Sequence, residues 1–210
     1  MSQSVHRAAR SARATKETNI DVSVDLDGTT KNSSVVTGIK TLDSLLLALA
    51  EEADFTLNVA AKGDLWIDDH HTTEDVAITV GQVLNTALKD KAGCNRMGRA
   101  VATVNECTVE VIADLSNRPY LGNGLAFADE KIDDLSTEMI DHLFMSITSN
   151  AQMTAHIVHH KNDGDDGVTY SEADLALAAA RALGKCLKQC VAIDNRRAGA
   201  VASSKGTLSV

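Results

Sequence analysis

Two adjacent histidines and four carboxylates fall within eight residues, DDHHTTED, at positions 68–75. With His70 and His71 in the first turn of a helix running to Lys89, Glu74 follows them by four and three residues. At that spacing imidazole nitrogens and a carboxylate oxygen share one helix face. Such donors suit a divalent transition-metal ion. Asp68, Asp69 and Asp75 then act as caps, as partners that orient the histidines, or as part of a negative field. The same letters also spell a capped helix with a hydrophilic entrance, because acids near a helix start are favourable without any metal. The order is not the HExxH of zinc proteases, since the glutamate follows both histidines. A second group, His156, His159 and His160, precedes Asp163, Asp165 and Asp166. On a strand, His156 and His160 point one way and His159 the other. The aspartates lack the ligand alternation and final glutamate of a calcium loop.

The elements that must position these groups follow from periodicity. Ile20, Val22, Val24 and Leu26 alternate as a half-buried strand ending at the turn Asp27-Gly28. A short strand is expected at 34–36. Leu42, Leu45, Leu46 and Leu49 mark a helix over 41–52, with Thr41 or Asp43 as its cap. A strand over 55–59 turns at Gly63-Asp64, and 65–67 extends into the histidine motif. Val76, Val80, Val83 and Leu84 continue the helix behind that motif. Further along, the sequence predicts a strand at 108–115, a helix at 134–148, a strand at 154–158 and a helix at 172–187. Strand, helix, strand, charged turn and helix are thus stated twice, at an offset near 98 that lays Ser44 on His142 and Glu74 on Glu172. A repeat of this kind predicts two similar half-domains with helices against one sheet face. The fold expected is α+β, a two-layer α/β sandwich. Its parts are a flexible N-terminal arm (1–15) and half-domains at 16–104 and 105–208, forming one functional unit.

Composition bounds the function. The chain has 210 residues, 44% hydrophobic but only 3% aromatic, so its core must be built from Ala, Val, Leu and Ile. A net charge of -9 opposes contact with nucleic acid or anionic lipid. No run reaches the length of a membrane span. Cys94, Cys107, Cys186 and Cys190 have no CxxC spacing; with no signal peptide, they suggest buried thiols in a reducing, cytoplasmic setting. The Arg-, Ala- and Ser-rich start also fits an organelle transit peptide.

Several motifs, in order, resemble the imidazoleglycerol-phosphate dehydratase family. They are Lys16-Glu17-Thr18, Asp27-Gly28, Thr37-Gly38-Ile39, Gly63-Asp64-Leu65 leading into DDHHTTED, LSNRPY at 115–120, DLSTEMI at 134–140 and Ser204-Lys205-Gly206. The resemblance covers about residues 13–208. It implies repeated halves like the second domain of ribosomal protein S5, and trimers assembled into a 24-subunit shell. It also implies manganese, one or two ions per chain, at sites between subunits. The implied reaction dehydrates D-erythro-imidazole-glycerol phosphate to imidazole-acetol phosphate in histidine biosynthesis, so the partner is a small phosphorylated imidazole. By matching positions, His70, His71, Glu74, His156 and Glu172 are implied metal ligands. Glu17 and Glu172 are the implied proton-transfer groups, and Arg96, Arg118, Ser204 and Lys205 the implied phosphate pocket.

The pattern also departs from the family. Ser44 stands at a ligand histidine, Val168 and Thr169 at the two histidines of a second HHxxE, Asn105 at an aspartate and Asn117 at a glycine. His159 or His160 is then a possible compensating ligand. Two expectations follow: a dehydratase with a rearranged metal cluster, or a non-catalytic structural or regulatory member of the same family.

Overall fold

The computed structural model describes residues 6–29, 32–161, 170–197 and 199–208. Strands β1 (Ala8–Ala14) and β2 (Thr18–Asp25) form an antiparallel hairpin. β4 (Thr56–Gly63) pairs antiparallel with β2, and β3 (Ser34–Val36) adds parallel to β4, giving the order β1-β2-β4-β3. Helix α1 (Lys40–Ala53) lies between β3 and β4, and α2 (His70–Leu88) follows β4. The second half repeats this. The hairpin of β5 (Met97–Val104) and β6 (Cys107–Asp114) is followed by β7 (Tyr120–Asn123), and then by a small β8 (Lys131–Ile132) and β9 (Leu135–Ser136) ribbon. Helix α3 (Thr137–Asn150), β10 (Thr154–His160) and α4 (Glu172–Val191) complete it, with strand order β5-β6-β10-β7. The fold is α+β with two mixed sheets, and a 3-10 turn at Asn195–Arg197 follows α4.

The helices pair across the halves: α2 packs on α3, and α1 on α4. Glycine makes each approach possible. A Cβ at Gly81 would lie 2.7 Å from the Ile147 carbonyl oxygen, and one at Gly184 2.3 Å from that of Leu49. The inward residues of β2 (Ile20, Val22, Val24) meet Leu42, Leu46 and Leu49 of α1, Val76, Val80 and Leu84 of α2, and Met139, Ile140 and Phe144 of α3 in one continuous core. Because few rings are available, small aliphatic side chains fill this space at close helix separations. Among the described residues, no helix is long and apolar enough to cross a membrane.

Three expectations need correction. Residues 8–14 are a strand, not part of a flexible arm: Arg10 pairs with Asp21 at 2.5 Å and Arg13 with Asp75 at 2.9 Å. Arg7 reaches Asp27 at 2.7 Å and the Val191 carbonyl at 2.6 Å. Cross-strand charge, rather than an apolar stripe, holds this edge. A boundary at 104/105 would cut the β5–β6 hairpin at its two-residue turn, where Asn105 (φ 42°) and Glu106 (φ 70°) are both left-handed. The sheets instead divide before Met97. Finally, 65–67 is a turn, closed by Ile67 N–H on the Asp64 carbonyl at 2.8 Å, with Trp66 81% exposed.

Candidate metal and phosphate sites

In the structure the three aspartates of DDHHTTED hold the scaffold. Asp68 accepts from the His70 N–H at 2.9 Å and so caps the start of α2. Asp69 accepts from Ser136 N–H at 2.5 Å and Ser136 Oγ at 2.9 Å, tying that start to the residue before α3. Asp75 takes the Thr18 hydroxyl at 2.6 Å and Arg13 at 2.9 Å, which fastens the β1–β2 hairpin to α2. This leaves His70 and Glu74 free of the frame, with Nε2 and Oε2 3.7 Å apart one helical turn from each other.

The third member of their group is His142, on α3. Its ring centre lies 5.3 Å from that of His70, and ligand atoms of His70, Glu74 and His142 all fall within 4.8 Å of one another. His142 Nδ1 is buried and has no hydrogen-bond partner. An orphaned nitrogen beside an imidazole and a carboxylate fits a divalent cation. The sequence assigned no role to His142. The signal available was its alignment with Ser44 in the internal repeat, since the surrounding residues read only as an apolar helix face.

His71 turns to another set of partners. Its Nδ1 lies 3.0 Å from Asp64 Oδ2 and its Nε2 4.0 Å from Glu17 Oε2. The hydrogen bond to Asp64, with Glu17 nearby, holds the imidazole above its ordinary pKa. Thr15 Oγ1 accepts the N–H groups of Glu17 (3.1 Å) and Thr18 (2.9 Å), so a built turn presents Glu17 here.

The remaining expected ligands lie apart from this group. His160 Nε2 is bonded to Glu110 at 2.9 Å, and Glu110 is also held by Arg99. His159 Nε2 faces Tyr170 Oη at 3.0 Å and Cys107 Sγ at 3.7 Å. Strand alternation sends the two to opposite faces and to different partners. His156 stacks near Tyr120 (5.5 Å) on the outer face of the second sheet, where it lines an open cavity of about 460 Å³. The Glu172 carboxylate accepts from the backbone N–H groups of Ala128 and Asp129. Ser44 Oγ donates to the Lys40 carbonyl at 2.9 Å. Val168 and Thr169, with Asp163, Asp165 and Asp166, lie outside the described residues.

Two of the four expected phosphate residues, Arg96 and Arg118, flank the end of the second sheet where Met97, Asp114, Thr154 and Tyr120 lie in register. Arg96 is gripped by Asp114 at 2.6 and 2.8 Å and donates to the Ala202 carbonyl at 2.8 Å, which brings the 202–205 segment alongside. Lys205 and Ser204 in that segment are exposed. Arg118 is exposed, with its backbone held by Ser116 and Thr154. Among the described residues its guanidinium has no ion-pair partner.

Fold and site together define a duplicated α+β protein with a histidine–glutamate cluster able to hold a metal ion. A family model described as imidazoleglycerol-phosphate dehydratase matches residues 37–187. The imidazoleglycerol-phosphate dehydratase of Microcystis aeruginosa is 41% identical over 202 residues, covering 96% of this chain and 93% of that one. The chloroplastic enzyme 1 of Triticum aestivum is 42% identical over 198 residues, covering 94% and 70%. The crystal structure from Staphylococcus aureus aligns with a TM-score of 0.77 at 26% identity, covering 89% of this chain and 99% of that one. That from Pyrococcus furiosus, in complex with (S)-C348, aligns at 0.76 and 25%, covering 94% and 99%. The chain belongs to the imidazoleglycerol-phosphate dehydratase family. It is a carbon–oxygen lyase of histidine biosynthesis that dehydrates imidazoleglycerol phosphate.

Proposed function

We propose that this chain carries out its dehydration with one manganese ion per chain, held by His70, Glu74 and His142. The observation that carries this is the buried, unpartnered His142 Nδ1 within a three-ligand group drawn from α2 and α3. When bound, the ion supplies Lewis acidity and an orienting charge for the substrate imidazole. Glu17, held by the Thr15 turn beside His71, takes the proton from the substrate carbon. Asp64 fixes the His71 ring, leaving its Nε2 toward Glu17. Arg118, Ser204 and Lys205 take the phosphate through charge-assisted hydrogen bonds. Arg96 joins them while anchoring the C-terminal segment. His156 serves the same site from a neighbouring copy.

A second ion does not fit the equivalent position in the other half. There Ser44 replaces the imidazole of His142, and its hydroxyl is turned back on its own helix. The oxygens of Glu172 are taken up by backbone N–H groups. This supports a family member with several ligand histidines replaced, in which Glu172 serves the metal or the proton only by giving up those bonds.

The site is completed by assembly. Among the described residues, no contact within the chain joins the His70 group to Arg118. Met97, Val101, Ile112, Tyr120 and Val158 expose apolar surface on the outer face of the second sheet, whereas Arg10, Asp21, Asn58 and Lys62 line that of the first. An apolar sheet face of this kind favours a partner copy. We assign a trimer-based 24-subunit homo-oligomer on a fold of the ribosomal S5 second-domain type, located in the cytoplasm. Stripping the protein with a chelator should abolish turnover of imidazoleglycerol phosphate, and manganese should restore it. Turnover that survives both chelation and His142→Ala would overturn the assignment.

A further inference from the structure

Lys91 is only 1% exposed, yet no carboxylate among the described residues forms an ion pair with it. Its Nζ donates instead to Asn117 Oδ1 and to the Gln152 carbonyl, the latter at 3.3 Å. The same Gln152 carbonyl accepts the Asn117 N–H at 3.0 Å. Three segments meet here: the end of α2, the 115–120 segment and the residue pair after α3. Each does so with a left-handed residue, at φ 62° for Lys91, 56° for Asn117 and 54° for Gln152. Asparagine tolerates that backbone better than most side chains, and unlike the glycine of the related motif it also offers an acceptor oxygen.

The next residue is Arg118. Its N–H donates to Ser116 Oγ at 3.1 Å, and its carbonyl accepts Thr154 Oγ1 at 2.7 Å. The backbone on both sides of its Cα is therefore fixed, and among the described residues the guanidinium has no partner. A buried ammonium without a carboxylate partner costs stability, and an apolar side chain of equal length would pack more favourably. Nearby Arg96 adds repulsion and Asp114 attraction, and burial lowers the Lys91 pKa to about 8. Stability therefore gives no reason for a lysine at this place, whereas fixing the Arg118 turn does.

We propose that Lys91 and Asn117 are positioning residues for phosphate recognition, their hydrogen bond setting the turn from which Arg118 presents its guanidinium. This rests on the assignment of Arg118 to the substrate phosphate. The experiment is steady-state dehydration of imidazoleglycerol phosphate by the manganese-loaded, full-length assembly, with melting temperatures measured alongside. Lys91→Met should raise KM about tenfold, as expected when one charge-assisted hydrogen bond that holds the turn is lost. Its kcat should stay within twofold, and its melting temperature should hold or rise. Asn117→Gly, which the φ of 56° accommodates without strain, should raise KM in the same direction. The double variant should be no worse than Lys91→Met, because both changes break one bond. Arg118→Ala separates the two claims. If it leaves KM unchanged, the phosphate assignment itself falls. If it raises KM while Lys91→Met and Asn117→Gly do not, the positioning role falls alone. A Lys91→Met protein that loses melting temperature and kcat together also overturns that role, since Lys91 would then be a structural residue only.

Discussion

Gly81→Ala should weaken metal binding without touching a ligand. A Cβ at position 81 would lie 2.7 Å from both the Ile147 carbonyl oxygen and Asn150 Cβ, about 0.7 Å inside the 3.4 Å at which ordinary contact begins. Both obstacles belong to α3, and one is backbone, so helix separation is the only relief. His142 lies five residues before Ile147 on α3, roughly 7.5 Å along its axis, and Glu74 seven before Gly81 on α2. A wedge so close to the ligands moves His142 by several tenths of an ångström from His70 and Glu74. Metal sites tolerate about 0.2 Å in ligand distance, so manganese affinity should fall by roughly 10- to 100-fold, as when outer supports of a site are lost. Overpacking costs about 1–3 kcal/mol, offset by up to ~1 kcal/mol of helix propensity gained over glycine. Gly184→Ala is the control, because its Cβ meets Leu49 O at 2.3 Å in the α1–α4 contact, which carries none of the three ligands. Calorimetric titration with manganese, run beside thermal unfolding, should show both variants destabilised but only Gly81→Ala weakened for the ion. Equal loss of affinity in both, or unchanged affinity in Gly81→Ala, would refute the idea that α2–α3 spacing sets the site.

Three further outcomes are expected. His142→Ala should remove the tight manganese event in the same titration while leaving the far-ultraviolet dichroism of the chain intact; retained tight binding would show that the ion sits elsewhere. Lys91 has a folded pKa of about 8 against an ordinary 10.5, so the unfolded chain binds the extra proton between those values and the wild type gains stability as pH rises through that window. The stability advantage of Lys91→Met should therefore be greatest below pH 8, at most about 3 kcal/mol, and vanish toward pH 10.5 in denaturant titrations; a difference independent of pH would mean that the buried ammonium is not the cause. Trp66 is the single tryptophan and is 81% exposed in the isolated chain, so its emission should move to shorter wavelength when dilute chains assemble, and a spectrum identical in monomer and assembly would place the 65–67 turn outside the contacts.

What could be read from the sequence depended on whether one residue's neighbours revealed its partner. The β2 strand and helices α1, α2, α3 and α4 were legible because each writes its buried face as a period of two or of 3.6. Strand β1 was not, because its pairing is a ladder of arginines whose aspartates lie elsewhere in the chain, Arg10 to Asp21 and Arg13 to Asp75. Strand β5 hid in the same way, since its outward Met97 and Val101 blur the alternation. The metal motif announced His70 and Glu74. It could not say that Asp69 and Asp75 are spent on Ser136 and Thr18, nor that His71 turns to Asp64. Nor could it say that the Glu172 carboxylate meets the N–H groups of Ala128 and Asp129 in another loop, because a glutamate in the first turn of a helix looks the same whatever it faces.

Duplication sets the His70, Glu74 and His142 group on one side of the molecule and a different pair of polar residues on the other. Each half contributes one helix of the α1/α3 kind and one of the α2/α4 kind, and these pair across the halves rather than within them. The α2–α3 contact joins His70 and Glu74 from the first half to His142 from the second. The α1–α4 contact offers Ser44 and Glu172 at the corresponding places. Neither half holds the three-residue group by itself, so a change on α1 touches only the α1–α4 position. The two contacts share the core but not their polar ends: Ser44 bonds to its own helix backbone and Glu172 to the 128–129 turn. Placing a histidine at position 44 alone should therefore not create an ion site there, because the Glu172 carboxylate would first have to give up hydrogen bonds that the folded chain already makes.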